Sequence, residues 1–329
     1  MLVVSPHPDD ECLAAAGLMQ RAIRAGVDVR VCLLTDGDNA PWVQRAHEKR
    51  LRVGARERER FGRLRHAEAR LALGALGVPP ESITSFHWPD QGLTDALLGE
   101  DQTAVDRLHV LLEELRPALV VGPSCIDLHP DHSALSVLLD LACARIAPQM
   151  RPSRLEYLIH RLKTTPALDQ DSLWLDGAES DGKYRSVSCY RSQLSVHRRR
   201  FLAFQSRVED FAPVPAPLPG RAGHAVSTAS WNDGELRLQI KLPWRLGAHG
   251  AAELLLLGSA EGNQRWCARV ALRRAGGWLS LQEYASGKEW GLVRSERRAE
   301  ELELRVPAKM LPPMSSLHVK VERARGFFD

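Results

Sequence analysis

The sequence has no CxxC pair, no tight cysteine cluster, no long apolar run and no large excess of charge of either sign. Its six cysteines, Cys12, Cys32, Cys125, Cys143, Cys189 and Cys267, are scattered. Several lie in apolar stretches such as Val31-Cys32-Leu33-Leu34, where a thiol packs as a small hydrophobe. This argues against a disulfide framework and for a reducing, cytoplasmic setting. No run approaches the ~18 apolar residues that a spanning helix needs, and Met1-Leu2-Val3-Val4 is too short for a signal peptide. The expectation is a soluble, non-exported protein with no transmembrane segment, at most peripheral to the inner membrane. A net charge of +3 over 329 residues gives no support to nucleic-acid binding, which requires a concentrated basic face. The absence of GxSxG disfavours a serine hydrolase.

What is present is an ordinary globular composition, 44% hydrophobic and 26% charged, on a chain long enough for two domains. Over the first ~210 residues, short apolar runs alternate with segments of helical period. Strands are expected at Leu2–Ser5, Val27–Thr35, Ile83–Trp88, Ala118–Val121 and Leu155–His160. Helices are expected at Glu11–Ala25, around Ala67–Leu76, and at Thr103–Leu115, Ser133–Ile146 and Arg191–Gln205. Such alternation predicts an α/β fold with a doubly wound, Rossmann-like, mostly parallel sheet. Four prolines between Pro213 and Pro219 cannot continue a helix or a central strand. The expected division is therefore a catalytic domain over 1–211, a proline-rich linker over 212–222 and a β-rich accessory domain over 223–329. In the last part Leu236–Ile240, Leu302–Val306 and Leu317–Val321 alternate and Asn232-Asp233-Gly234 marks a turn, which predicts a small β-sandwich.

Two loops carry the chemistry. Pro6-His7-Pro8-Asp9-Asp10-Glu11 directly follows the first strand, and Asp127-Leu128-His129-Pro130-Asp131-His132 follows another buried one. In an open parallel sheet both would lie at the carboxyl ends of strands, in the crevice where ligands bind. A histidine with an acid three positions on, at a strand-to-helix turn, can converge on one metal ion. Taken singly, each histidine is read as a satisfied polar residue and Asp9-Asp10-Glu11 as a solvated helix start. The coincidence of two such loops in equivalent places makes the metal site the better reading.

These residues resemble the paired motifs of the PIG-L/LmbE de-N-acetylase family. Supporting pieces are Thr35-Asp36-Gly37, Arg65 with Glu68, Trp88-Pro89-Asp90-Gln91-Gly92-Leu93 and Tyr190-Arg191-Ser192-Gln193, where the family often has His in place of Tyr190. The resemblance covers roughly residues 1–210. It implies zinc held by His7, Asp10 and His132, two nitrogens and one carboxylate with a fourth position left for water. The same donors would also accept Fe2+ or Co2+. It further implies Asp9 as general base, His129 as oxyanion stabiliser or proton donor, and Asp131 as the residue that orients His129. Arg65 and Asp90 match sugar-contacting positions. Glu11 is read as either a supporting residue or a helix-start acid, and Asp36 and Asp38 as parts of a turn in preference to lining the mouth of the site.

The function so implied is removal of the N-acetyl group from an N-acetylated amino sugar of the GlcNAc or GalNAc type. The sugar is expected within a glycoconjugate, such as a cell-envelope precursor. The arginine-dense stretch Arg45–Arg65 is read as a flap that attracts an anionic or lipid-linked substrate, against the plainer reading of a solvated helical face. Five of eight tryptophans, Trp231, Trp244, Trp266, Trp278 and Trp290, fall in the last third, as core or as sugar-stacking residues. The alternatives are another metal-dependent amidase acting on a sugar–thiol conjugate, a phosphoesterase, or a non-catalytic carbohydrate-binding protein.

Overall fold

A computed structural model describes residues 1–99, 101–160, 171–214, 225–241, 252–260, 264–272, 276–298 and 301–323. In chain order the first part contains β1 (Leu2–Ser5), α1 (Asp10–Arg24), β2 (Arg30–Thr35), α2 (Pro41–Glu48), α3 (Ala55–Ala75), β3 (Ile83–Trp88), α4 (Leu93–Leu98), α5 (Thr103–Leu115), β4 (Leu119–Pro123), α6 (Pro130–Ala144), β5 (Ser153–Tyr157), β6 (Asp171–Trp174), α7 (Gly177–Val187), α8 (Arg191–Ala203) and β7 (Val208–Pro213). The apolar runs Leu2-Val3-Val4 and Val31-Cys32-Leu33-Leu34 are buried on both faces, as in a sheet covered by helices on each side.

The first sheet has the order β3-β2-β1-β4-β5-β7-β6. Strands β1 to β5 pair in parallel, while β7 runs antiparallel to β5 and β6 antiparallel to β7. The chain builds outward from β1 to β2 and β3 on one side, then returns to place β4 and β5 on the other. The crevice between the carboxyl ends of β1 and β4 is thus the point where the winding reverses. Aliphatic residues of α4, α5 and α6 cover one face, and α1 with parts of α3 and α8 the other.

Two sequence expectations change at this level. The arginine-dense stretch is mostly helix: α3 begins at Ala55, where the Glu57 carboxylate accepts the Gly54 N–H at 3.1 Å. The expected linker begins too early, because Ala212 and Pro213 still belong to β7; residues 215–222 lie outside the described residues. Pro213, which has no N–H to donate, stands at the very end of β7, opposite Leu155 of β5.

The second part comprises β8 (Val226–Asn232), β9 (Glu235–Lys241), β10 (Ala252–Ser259), β11 (Arg265–Leu272), β12 (Gly277–Glu283), β13 (Glu289–Arg298), β14 (Glu301–Pro307) and β15 (Ser316–Arg323). A two-residue turn joins β8 to β9, with Asp233 and Gly234 both at positive φ, 51° and 76°. Where two sheets of a sandwich were expected, the described strands form one eight-stranded antiparallel sheet, β15-β10-β11-β12-β13-β14-β9-β8, whose outer strands approach each other. Alternation sends Leu236, Leu238, Ile240, Leu302, Leu304 and Val306 into its own core. Strand β10 is buried on both faces. Leu254 and Leu256 enter that core, whereas Leu255 and Leu257 join the aliphatic layer around α4, α5 and α6. Arg265 reinforces this junction, donating to the carbonyls of Leu97 at 3.2 Å and Asp101 at 2.7 Å.

Candidate metal centre at the carboxyl edge of the sheet

The loop between β1 and α1 is held in a strained form. Asp9 has φ 135°, a conformation side-chain-bearing residues rarely adopt, and such strain persists only where the surroundings enforce it. Glu11 accepts the Asp9 N–H at 3.1 Å and is itself fixed by the hydroxyls of Ser5 and Tyr190. From the opposite side, buried Arg65 donates to the Pro8 carbonyl at 2.5 Å and to Asp9 Oδ2 at 2.6 Å. Its other terminal nitrogen donates to the Gly37 carbonyl at 2.8 Å. Gly37 is required twice over: its φ is +60°, and an added Cβ would lie 2.1 Å from Arg65 Nη1. Burial pushes the Asp9 carboxyl up to about 7, against the pull of Arg65 and with help from Asp10 and Glu11.

Asp10 sits between two imidazoles, with Oδ2 at 3.1 Å from His7 Nδ1 and 3.1 Å from His132 Nε2. The other nitrogen of His7 meets Asp90 Oδ1 at 3.1 Å and Asp131 Oδ2 at 3.2 Å. Burial alone would lower the His7 pKa, yet Asp90, Asp10 and Asp131 outweigh it and hold it well above the usual imidazole range. His132 is pushed up to about 9 in the same way, burial opposing and Asp10 and Asp127 prevailing.

This arrangement suits a divalent cation. Asp9, Asp10, Asp90, Asp127 and Asp131 are all withdrawn from solvent at one point, with Arg65 as the permanent cation among them. Buried anions in such excess are costly without a compensating positive charge. His132 is fully buried, and neither of its ring nitrogens makes a hydrogen bond of acceptable angle, although carboxylates stand 3.1 and 3.2 Å away. A metal ligand leaves this signature, since its lone pair points at the ion rather than at a proton. Nitrogens of His7, His129 and His132 lie within 4.8 Å of one another. His7, Asp10 and His132, named from the sequence, are thus brought together.

His129 caps α6, its Nδ1 accepting the Asp131 N–H at 3.2 Å, which leaves the remaining ring proton on Nε2. Burial, then the neighbouring imidazoles of His7, His132 and His160, lower its pKa to about 2. The Asp131 carboxylate does not orient this ring, contrary to the sequence expectation. It accepts the backbone N–H groups of Gln91 at 2.8 Å and Leu93 at 3.1 Å, anchoring the loop after β3 beside His7.

Arg65 and Asp90, expected to contact sugar, have other partners. Arg65 braces Asp9, and Asp90 lies against His7 while accepting the Asn39 N–H at 2.8 Å. Asp38 is half-buried nearby, its carboxyl raised by burial and by Asp90. Sequence reading quoted Asp127 in the second loop without giving it a role, and missed His160. Asp127 faces His132 Nδ1 at 3.2 Å and His160 Nδ1 at 3.1 Å, and accepts the backbone N–H groups of His129, Ile159 and His160. Burial would raise its pKa, but His132 and His160 hold it well below the usual carboxylate range. His160 closes the cluster from the loop after β5. The rule that ligands gather at strand carboxyl ends would have flagged it, had it been applied to β5 as well as to β1 and β4.

The arginines of 45–65 are divided. Arg60 pairs with Glu48, Arg63 with Glu59 and Arg50 with Glu57, as on a solvated helical face. Arg52 and Arg56 are exposed and carry no ion pair among the described residues.

The family model described as GlcNAc-PI de-N-acetylase (PIG-L) matches residues 2–143. A 1D-myo-inositol 2-acetamido-2-deoxy-alpha-D-glucopyranoside deacetylase from Mycobacterium sp. (strain KMS) is 32% identical over 144 residues, 40% of this chain and 46% of the relative. An enzyme of the same name from Gordonia bronchialis is 28% identical over 174 residues, 47% of this chain and 60% of the relative. The chain thus spans about half the length of the curated relatives it matches. In fold, it is similar to the deacetylase of the teicoplanin biosynthesis pathway, with a TM-score of 0.50 at 18% identity, over 64% of this chain and 96% of that one. The strained Asp9 loop and the donors His7, His129 and His132 all fall within residues 2–143, the span of this chain that is similar to the PIG-L family.

Proposed function

We propose that the protein is a metal-dependent hydrolase that removes the acetyl group from an N-acetylated amino sugar. The observation that carries this reading is the convergence of His7, Asp10 and His132 with a strained, braced Asp9 beside them. Zinc is the ion we assign to these two nitrogens and one carboxylate. When bound, it would supply Lewis acidity toward the acetamide carbonyl and toward the attacking water.

Asp9 takes a proton from that water as its oxygen adds to the carbonyl carbon. A carboxylate whose pKa lies near 7 can both accept this proton and give it up again at neutral pH. His129 is neutral and carries its proton on Nε2, because the Asp131 N–H occupies Nδ1. Nε2–H is the donor for the developing oxyanion. As the C–N bond breaks, the proton held by Asp9 passes to the leaving nitrogen, giving acetate and a free amine. Arg65, Glu11 and Asp131 act through position, fixing Asp9 and the loop opposite it.

The substrate we infer is a GlcNAc- or GalNAc-type unit in a glycoconjugate; the names of the relatives support the GlcNAc type. Exposed Arg52 and Arg56, without an ion pair among the described residues, support an anionic or lipid-linked group on it, consistent with a cell-envelope precursor. Among the described residues no helix is long and apolar enough to cross a membrane.

The test is acetate release from a panel of N-acetylated glycosides, inositol-linked GlcNAc included. Wild type is compared with Asp9→Asn and with chelated protein to which zinc is returned. We expect Asp9→Asn to reduce turnover by about 10²–10⁴-fold, chelation to abolish it and zinc to restore it. Acetate release indifferent to both would remove this mechanism, and release of another acid would reassign the amide.

A further inference from the structure

A second group of ligand atoms lies apart from these donors, on the turn after β2, on α3 and on β3. Asp36 Oδ1 meets His66 Nε2 at 2.5 Å and His87 Nδ1 at 2.6 Å, and the two rings are 5.0 Å apart between centroids. We propose that Asp36, His66 and His87 form a second binding site for a divalent transition-metal ion of the zinc, cobalt, nickel or copper class.

Three features point to a built site. The β2–β3 ladder shifts register between the Leu33–Ser85 and Thr35–Trp88 pairs, so Phe86 and His87 stand opposite Leu34 alone. Such a bulge re-aims a side chain at the cost of local pairing. His87 adopts φ 56° within it, a left-handed backbone uncommon outside glycine, though histidine is among the residues that take it more readily. The result folds an otherwise solvent-exposed imidazole onto Asp36. Next, His66 is buried and aims Nε2 at Asp36, while Ser85 Oγ stands 3.4 Å from its Nδ1. A metal-ligating histidine commonly has its second nitrogen held by a polar partner in this way. Finally, Gly62, one helical turn before His66, lets α3 approach the turn: a Cβ there would lie 3.0 Å from Asp36 Cβ.

Two imidazoles and one carboxylate select borderline transition metals over magnesium or calcium. Exposure of His87 leaves the remaining coordination to water. The site shares its supports with Asp9: Gly37 follows Asp36 and Arg65 precedes His66, and the first member of that second pair braces the Asp9 loop.

The experiment is equilibrium dialysis of metal-free full-length protein against Co2+. Bound metal is measured by elemental analysis, alongside visible absorption and thermal unfolding, for wild type and His87→Ala. Because His87 is exposed and touches neither His7, Asp10 nor His132, the variant is expected to fold, and its unfolding curve without metal checks this. We expect wild type to hold one equivalent more than His87→Ala and to lose that equivalent's absorption in the variant. The Co2+-induced rise in Tm should shrink, with Mg2+ giving no binding at the same concentration. The readout is the difference of one equivalent rather than the total, so it stands whether or not the deacetylase site loads. Equal stoichiometry and equal spectra in the two proteins would overturn the proposal. The conservative variant His66→Asn, which keeps a polar group against Asp36, should lose the same equivalent.

Discussion

The two sheets solve opposite problems with the same strand vocabulary. The inner face of the C-terminal sheet is lined by leucine, valine and isoleucine, and its buried polar side chains among the described residues are Ser295 and Glu303. The parallel sheet has a comparable aliphatic body, but its carboxyl edge gathers His7, Asp9, Asp10, Glu11, Asp127, Asp131 and His132, all withdrawn from water. Burying aliphatic area stabilises by roughly 25 cal/mol per Å2 wherever it occurs. Burying charges stabilises nothing unless they are paired, so the second pattern marks where the molecule gives up stability for chemistry. The difference lies in direction as well as composition. Parallel strands bring all their carboxyl-end loops to one edge, whereas an antiparallel sheet divides its loops between two.

The largest expected effect separates positioning from substrate contact at that edge. Arg65→Met should lower kcat by about 10²-fold, as misplacement of a catalytic group does, while KM stays nearly constant. Steady-state kinetics on the best acetylated substrate decides it: a KM rise at constant kcat would return Arg65 to the sugar-binding role read from the sequence.

Next in size is the junction between the sheets. Leu257→Ala truncates a β10 side chain that packs on the helices of the first domain, and should cost about 2–5 kcal/mol. Leu256→Ala, one residue away and facing the other core, should cost a similar amount. If the two parts unfold as one unit, both variants lower a single urea midpoint seen equally by activity and tryptophan fluorescence. Two separable transitions would break the comparison, leaving the β-sheet as an independent module. Trp266 and Trp290 pack edge to face at 5.7 Å, so the C-terminal tryptophans serve partly as core. Trp231 and Trp278 are exposed, 50% and 66%, and Trp244 lies outside the described residues.

A smaller effect should appear in the pH dependence of the same junction. Asp140 of α6 lies beside Arg154 and 3.6 Å from His318 of β15. Burial would raise its pKa, but His318 and Arg154 prevail and hold it below the usual carboxylate value. A depressed folded-state pKa adds stability that is fully present above the unfolded value, about 3.9, and is lost as pH falls through the folded one. Asp140→Asn should therefore lower Tm at pH 7, with the gap to wild type closing below about pH 3. A gap independent of pH would assign the loss to packing. The smallest effect is at the arginines: Arg52→Glu with Arg56→Glu should raise KM about 3- to 10-fold at low salt and less at high salt. An unchanged KM at low salt would remove the anionic group from the substrate.

Much of this was legible in the chain. Buried parallel strands announce themselves as continuous aliphatic runs, so β1, β2 and β4 were placed within a residue or a few. The two His/Asp loops were found because residue type and position after a strand coincide. What escaped had no local signal. The start of α3 at Ala55 was obscured by arginines, whose pairing with Glu48, Glu57 and Glu59 supplies no apolar period. Short α2 and α4 fell below the length at which a period can be read. His160 was read as the last residue of an ordinary strand, with nothing beside it in sequence to suggest a cluster.

The sequence by itself determined the α/β alternation, the antiparallel tail and the residue types at the two loops, because side-chain period and turn chemistry act over a few positions. Only the tertiary structure decided which group faces which. Asp131 answers to Gln91 and Leu93, Asp90 to His7, and Arg65 to Asp9 across 56 positions of chain. Those pairings follow from the order in which β3, β2, β1 and β4 lie side by side, and that order is set by packing between distant segments rather than by any local pattern.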